Sequence, residues 1–558
     1  MEKRIWHKSY APGVPASIEY ENITMPEALR RSAKLYPENA ALVMMGNVIT
    51  FAQLDDYVNR CASALAGLGI GREDRVALIL PNIPQMVIAT YALFRLGAVA
   101  VMNNPLYTER ELEHNLVDSG SKAAICLDFF VPRIISLKDK TSVATIITCH
   151  IRDFIPAPES QIQKDHYNLH MDIEPQKGVH EFMDLLKGAS PKPPKTEVGF
   201  DDLAALMYTG GTTGVSKAVM LSHANSSIAV QQFKAWLFDL EDAKERVLAV
   251  LPFFHVAGYT DIMNQCIYRG FTAVLVPRPD AGIIHTMIRE YRPTIFGAVP
   301  TLYVGLMNHP DFAKTDFSFI KGCLSGAAPM AIETIRSWES VVGATIIELY
   351  GLTETTAICH FNPWGGKTKV GSVGVPVPDT DCRIVDIETG LNELLCNQAG
   401  EVLVKGPQVC SGYYGKPDET RLSIRDGWLS TGDIGYMDDD GYLFIVDRKK
   451  DIIIAGGYNI YPREIDEVLY EHPKVKDACS FGVPDPYRGE TVKAVIVLKE
   501  GAVASEKEIQ DYCREKLSAY KIPKVIEFRQ QLPMSATGKI LRRVLRDEEI
   551  AKQKASAE

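Results

Sequence analysis

The order of patterns along the chain predicts an α/β fold: a large N-terminal domain of two related α/β halves plus a β-rich subdomain, then a small C-terminal α+β domain. Three observations carry this. Short apolar runs alternate with stretches of helical spacing in two series, before and after a loop of Gly, Thr and Ser near residue 210. From Gly371 the helical period fades and short strand-like runs replace it. Beyond Arg448 a shorter α/β pattern runs to the end.

Taken in order, the run Arg75 to Leu80, the helically spaced apolar residues from Asn82 to Gly97, and the run Ala98 to Met102 read as strand, helix, strand, the unit that builds parallel sheets. Ala123 to Leu127 and Val143 to Ile147 read as further buried strands of that sheet. Between Phe154 and Phe200 the sequence turns polar and ends in Pro191-Lys192-Pro193-Pro194-Lys195, a surface excursion or linker. The loop near 210 then opens a second series, with strands at Val247 to Val250, Ala273 to Val276, Ile295 to Val299 and Thr345 to Leu349. Two such halves leave a crevice between them, where open α/β sheets take ligands. Gly400 to Val404 and Tyr442 to Val446 belong to the β-rich subdomain, and Lys493 to Val497 to the last region, which closes with a charged helix from Ile540.

A length of 558 residues calls for two or more domains and buries a core readily. The formal net charge of −10, with no basic run to offset it, argues against a nucleic-acid partner. The 11 cysteines contain no CxxC pair, which suits buried thiols in a reducing cytoplasm better than a metal site or a disulfide frame. Met1 to His7 leads into polar sequence with no apolar signal core, and no run approaches the ~18 apolar residues of a membrane span. The expectation is a cytoplasmic protein, at most peripheral to a membrane.

The chemistry starts at Tyr208-Thr209-Gly210-Gly211-Thr212-Thr213-Gly214-Val215-Ser216-Lys217. After the apolar run Leu203 to Met207 the glycines let successive N–H groups converge, the hydroxyls add donors and Lys217 adds a mobile cation, the makings of a phosphate cradle. It is not a Walker loop, because Lys217 follows Ser216 rather than glycine and precedes Ala218.

Five further motifs follow in order: Leu324-Ser325-Gly326-Ala327-Ala328-Pro329, Leu349-Tyr350-Gly351-Leu352-Thr353-Glu354-Thr355, Ser430-Thr431-Gly432-Asp433, Val446-Asp447-Arg448-Lys449-Lys450-Asp451 and Pro533-Met534-Ser535-Ala536-Thr537-Gly538-Lys539. With the loop they resemble the adenylate-forming superfamily over nearly the whole chain, and within it the long-chain fatty acyl-CoA ligases. The resemblance implies a two-step reaction: a carboxylate attacks the α-phosphate of ATP to give acyl-AMP and pyrophosphate, then the thiol of CoA displaces AMP. It also implies a domain of residues 1–447, a hinge at 448–451, and a small mobile domain of 452–558 carrying the catalytic lysine.

Residue by residue, the resemblance implies that Lys539 bridges the acyl carboxylate and α-phosphate, that Glu354 holds Mg²⁺ and that Thr353 donates to the phosphate. Thr209, Gly210, Gly211, Thr212, Thr213 and Lys217 cradle phosphates. Gly326, Ala327, Ala328, Glu348, Leu349, Tyr350 and Gly351 flank the adenine, with Tyr350 as a flat face. Asp433 accepts the ribose hydroxyls beside Arg448, although a helix cap is the plainer reading of such an aspartate. His255, in Phe253-Phe254-His255-Val256-Ala257-Gly258, lines the acyl channel with Gly326 and Gly351, and glycine at 351 leaves that channel open. Lys450 is the pivot that swings Gly456 and Gly457 to the CoA tunnel. Three positions depart from the family's usual pattern: Gly210 for serine, Ser216 for proline and Met534 for lysine.

The implied substrates are ATP, CoA and a medium- to long-chain fatty acid, with Mg²⁺. An aryl-CoA ligase, an enzyme loading a separate carrier protein and a non-catalytic acyl-nucleotide sensor are the alternatives. The amphipathic stretch Ile540 to Arg546 leaves room for weak membrane contact, and a homodimer is compatible with the reading.

Overall fold

The computed structural model describes residues 4–156, 161–209, 216–328, 330, 332–455, 458–485, 487–535 and 539–557. Its first sheet runs Val179–Glu181, Thr145–Cys149, Ala123–Leu127, Arg75–Ile79, Val99–Met102, Leu203–Tyr208, Ala218–Ser222. All neighbours are parallel except the last pair. The Gly/Thr/Ser loop therefore joins the two antiparallel strands Leu203–Tyr208 and Ala218–Ser222 and finishes the first half, where the sequence pattern had it opening the second. The polar stretch after Phe154 is more than a linker. It supplies the edge strand Val179–Glu181 and the helix Phe182–Gly188, pinned by buried Phe182 and Leu186.

The second sheet has nine strands in the order Val375–Pro376, His360–Phe361, Ile346–Tyr350, Gly322–Ser325, Ile295–Ala298, Arg246–Ala249, Thr272–Leu275, Ala40–Met44, Asn47–Thr50. Its six central strands are parallel. The N-terminal hairpin Ala40–Met44 and Asn47–Thr50 pairs here, with Leu42 opposite the sequence-distant Ala273 of Thr272–Leu275, so the halves are not contiguous in sequence. The helix Pro84–Arg95 is buried on every face, which explains why its apolar pattern runs nearly unbroken. It meets the equally buried helix His223–Trp236 where the halves join, with the Phe94 and His223 rings 5.0 Å apart. Asn82 Nδ2 donates across the same junction to the Ala249 carbonyl at 2.8 Å.

The β-rich subdomain is an antiparallel sheet of Asp381–Val385, Gly400–Lys405, Trp428–Met437, Ile424–Arg425 and Leu443–Arg448. Beyond it, Ile453–Ala455, Tyr458–Ile460, Val475–Asp485, Gly489–Leu498 and Val525–Arg529 form a fourth sheet with its own hydrophobic clusters, none sharing a residue with the main core. The final helix begins at Arg542. Among the described residues no helix is long and apolar enough to cross a membrane, and every cysteine except Cys396 is buried.

Glu348, on the strand Ile346–Tyr350, is buried, and its Oε1 accepts from the Met330 amide at 3.5 Å. Burial pushes its carboxyl up to about 7, against the Met330 amide and Arg463, which favour the charged form. The folded protein thus holds this proton more tightly than the unfolded chain. Stability from this group is present below about 4.5 and is lost as pH rises through about 7. Glu348→Gln should therefore gain stability over the natural chain at pH 8 by on the order of 3 kcal/mol, and little at pH 4.5. Thermal midpoints of both proteins across that range check the sign; a gap independent of pH would refute it.

Candidate active site

Asp433 is the anchor. The strands Trp428–Met437 and Leu443–Arg448 pair antiparallel, in a register that sets Asp433 opposite Arg448. Gly432, at φ 71°, kinks the first of them, so Asp433 lies within a bent strand rather than after a turn. Arg448 Nε pairs with Asp433 Oδ1 at 3.0 Å, and Tyr350 Oη donates to Oδ2 at 2.6 Å. Burial and then the Asp433 charge push the Tyr350 phenol far up, so it stays a donor. Burial works against the charge of Arg448, but the Asp433 carboxylate outweighs it and holds the guanidinium cationic. Each carboxylate oxygen keeps a free lone pair for a further donor such as a ribose hydroxyl.

Lys539 reaches the same place from the far end of the chain. A bridge between Met534 and Ile540 closes its loop, with Ser535 N donating to the Lys539 carbonyl at 2.7 Å and Lys539 N to Ser535 Oγ at 3.1 Å. The side chain keeps exposed surface, yet protein surrounds it on the cleft walls. That burial, then the nearby Arg448, pulls its ammonium down to about 8, with Asp433 pulling the other way. Lys539 is felt in turn by His255, which burial first and this lysine second lower to about 4. His255 is therefore a neutral imidazole at neutral pH.

Glu354 sits in the turn Thr353–Thr355, next to the partly exposed Thr353. Tyr413 Oη donates to Glu354 Oε1 at 2.8 Å, and the Cys410 amide to the Glu354 carbonyl at 2.8 Å. The same Tyr413 ring lies 5.1 Å under the Lys217 ammonium, which pairs with Glu419. Tyr413 thus ties the phosphate-loop cation to the proposed metal carboxylate. No local motif marks this link, because it depends on pairing between Val219 and Tyr413. Ser216 Oγ donates to the Thr209 carbonyl at 2.6 Å and the Thr209 amide to the Lys217 carbonyl at 3.0 Å, so the serine that departs from the family's proline closes the neck of the loop. Gly210, Gly211, Thr212 and Thr213, like Gly456 and Gly457, lie outside the described residues. Among the described residues no three metal-ligating side chains cluster. A single carboxylate suits Mg²⁺, which keeps water and binds through substrate phosphates rather than an all-protein cage.

The backbone here is strained. Ala327, Thr356 and Ala357 take left-handed φ of 66°, 52° and 85°, each costing about 1–3 kcal/mol and persisting only because packing dictates it. A Cβ on Gly326 would stand 3.0 Å from Leu349 Cδ1, so this segment presses against the Leu349 strand. Gly351 is a correction. A Cβ there would meet the Ala357 carbonyl oxygen at 1.9 Å, so glycine is required by the close approach of two backbones, and no side chain at 351 points into open channel. Gly351→Ala should accordingly destabilise the fold and lower activity equally for every chain length. Thermal melts beside a panel of acids check this; a shortened chain preference with an unchanged melting temperature would restore the channel role.

The sequence pattern of the AMP-binding enzyme family covers residues 29–414, and that of the AMP-binding enzyme C-terminal domain residues 464–539. The chain belongs to the AMP-binding enzyme family. It is 42% identical to a long-chain-fatty-acid–CoA ligase of Bacillus subtilis (strain 168) over 98% of both chains, and 38% identical to one of Yersinia pestis over 99% of both. Among solved structures, the anthranilate CoA ligase AuaEII with anthranoyl-AMP matches at 27% identity with a TM-score of 0.85, over 96% of this chain and 98% of that one. MatB from Rhodopseudomonas palustris matches at 29% identity over 94% of this chain and 99% of that one in both its forms, with TM-scores of 0.83 ATP-bound and 0.72 apo.

Proposed function

We infer that the protein is an ATP-dependent fatty acid–CoA ligase that works through acyl-AMP. The carrying observation is the convergence of Lys539, Arg448 and Asp433 on one cleft beside His255 and Tyr350. A carboxylate meeting ATP concentrates negative charge on the α-phosphoryl group, and the Lys539 ammonium stands where it offsets that charge. Asp433 takes the ribose, the strained Gly326-Ala327-Ala328 backbone flanks the base, and Lys217 takes the outer phosphates. Glu354 would hold Mg²⁺, whose contribution when bound is to neutralise phosphate charge. The fatty-acid assignment is supported by full-length relatives at 36–42% identity named for long-chain fatty acids. The aryl alternative is supported by structural relatives such as the anthranilate CoA ligase at 27% identity.

Lys539→Ala should cost the adenylation step on the order of 2.7–4 kcal/mol or more, while thioester formation from supplied acyl-AMP survives. In the natural enzyme kcat/KM for ATP in the adenylation step should fall as pH rises through about 8, where the ammonium of the free enzyme loses its proton. Pyrophosphate release and thioester formation, measured separately, decide it: adenylation near the natural rate in the variant removes Lys539 from the chemistry.

The second step needs Lys539 to withdraw so that the CoA thiol can enter. The better match to MatB in its ATP-bound form supports an adenylating arrangement here. The turn Lys449–Asp451 joins the two units, and Lys450 is the pivot of this reading. Lys450→Pro fixes φ near −65° and should trap one arrangement. Rapid-quench analysis should show pyrophosphate released in a first turnover and acyl-AMP accumulating, with thioester formation severely slowed. Equal slowing of both steps, or of neither, discards the pivot.

A further inference from the structure

Tyr413 lies outside every motif read from the sequence, yet its side chain meets two of the residues those motifs supply. Its backbone is fixed from both sides. On one side it pairs with Val219 on the strand leaving the phosphate loop, where the Met220 amide donates to the Gly412 carbonyl at 3.0 Å and the Tyr414 amide to the Ala218 carbonyl at 2.9 Å. On the other, the Tyr413 amide donates to Thr420 Oγ1 at 3.0 Å, and that hydroxyl donates to the Lys416 carbonyl at 2.9 Å. Thr420 fits there because residue 412 is glycine: a Cβ at that position, where φ is 135°, would stand 2.3 Å from Thr420 Cγ2. The Tyr413 side chain is itself buried, so both its root and its ring are held. Its hydroxyl donates to Glu354 Oε1 at 2.8 Å, and no other protein donor among the described residues meets that carboxylate. Oε1 is thereby occupied, and Oε2 is left for a cation. The ring face lies 5.1 Å from the Lys217 ammonium, which also pairs with Glu419 of the same stretch. The separation of carboxylate and ammonium is therefore set by the length of one tyrosine.

We propose that Tyr413 is a positioning residue for the metal-bound triphosphate: its hydroxyl aims Glu354 at Mg²⁺, and its ring holds Lys217 beside the phosphates. The inference rests on the reading of Glu354 and Lys217 given above. A carboxylate that binds a metal is oriented by hydrogen bonds from groups that do not touch the ion, and losing such a bond costs roughly 10–100-fold in metal affinity. Orientation counts for Mg²⁺ in particular, because it demands near-octahedral geometry and takes, on this reading, a single protein carboxylate. The ring acts differently. Its face favours the Lys217 charge whether or not the metal is present. The hydroxyl therefore acts only through the metal, and the ring acts without it, which makes the two contributions separable by substitution.

The test is ATP binding to the purified full-length enzyme, measured by equilibrium dialysis over a series of Mg²⁺ concentrations and without the metal. Neither acid nor CoA is present, so nothing turns over. In Tyr413→Phe the Mg²⁺ concentration for half-maximal effect should rise about tenfold or more, while metal-free ATP affinity stays as in the natural enzyme. Tyr413→Leu should weaken metal-free binding as well. At a fixed Mg²⁺ concentration, Tyr413→Phe should cost nothing further in a Glu354→Gln background, which a general loss of packing would not give. A metal dependence unmoved by Tyr413→Phe overturns the proposal, as does an equal loss with and without Glu354, or equal metal-free affinity in the Leu and Phe variants. Thr420→Val removes the acceptor of the Tyr413 amide and leaves the phenol intact. It should move the metal dependence the same way by a smaller factor, and it decides the matter where Tyr413→Phe does not fold. ATP binding that ignores Mg²⁺ in the natural enzyme instead overturns the reading of Glu354, so the two failures are told apart.

Discussion

Everything in the site is referred to one buried carboxylate. Asp433 is 3% exposed and is held by a phenol from the second sheet and a guanidinium from the neighbouring strand of the subdomain sheet. A carboxylate at that depth is costly unless it is paired, and here a cation and a hydrogen bond both meet it. The pair also fixes geometry. Tyr350 ends the strand Ile346–Tyr350, whose neighbour Gly322–Ser325 leads into Gly326 and Ala327, while Arg448 is the last residue before the turn Lys449–Asp451. One interaction therefore aligns the Gly326–Ala327 backbone with the turn Lys449–Asp451.

The strained segments on either side of Tyr350 follow from that alignment. Gly326 can lie against Leu349, and Gly351 against Ala357, only because neither carries a Cβ. Ala327, Thr356 and Ala357 then absorb the bend in left-handed conformations that non-glycine residues avoid. Such conformations survive because two sheets and the subdomain over-determine them.

Much of this was legible in the sequence, and the losses have identifiable causes. Buried parallel strands are continuous apolar runs, so Arg75–Ile79, Ala123–Leu127 and Ile295–Ala298 stand out within a residue or two. Thr145–Cys149 was displaced by two residues because Val143 and Ala144 extend its apolar run before pairing begins. The hairpin Ala40–Met44 was missed because its partner strand is remote in the chain, and register of that kind leaves no local trace. At the site, motif residues were legible as chemistry, whereas their supports were not. Tyr413, Glu419 and the Ser216 hydroxyl act through contacts made only after folding. Gly351 was legible as a requirement for glycine, but its cause, an approaching backbone rather than an approaching substrate, was not.

The placement of Lys539 also bears on how one cleft alternates between two reactions. Its ammonium is depressed by burial and by the like charge of Arg448, with Asp433 only partly compensating. Without a substrate anion the lysine thus sits where its charge is disfavoured, and the unit that carries it is held instead by contacts at the junction. Arg463 N donates to Asp447 Oδ2 at 2.7 Å, and Arg542 pairs with Asp451 at 3.2 Å and Asp447 at 3.6 Å. Phosphate charge placed between Lys539 and Arg448 reverses the balance, since an anion stabilises both cations at once. Departure of pyrophosphate removes most of that charge and restores the repulsion. On the proposed function, the electrostatics that favour the ammonium of Lys539 beside Arg448 therefore weaken once pyrophosphate has left.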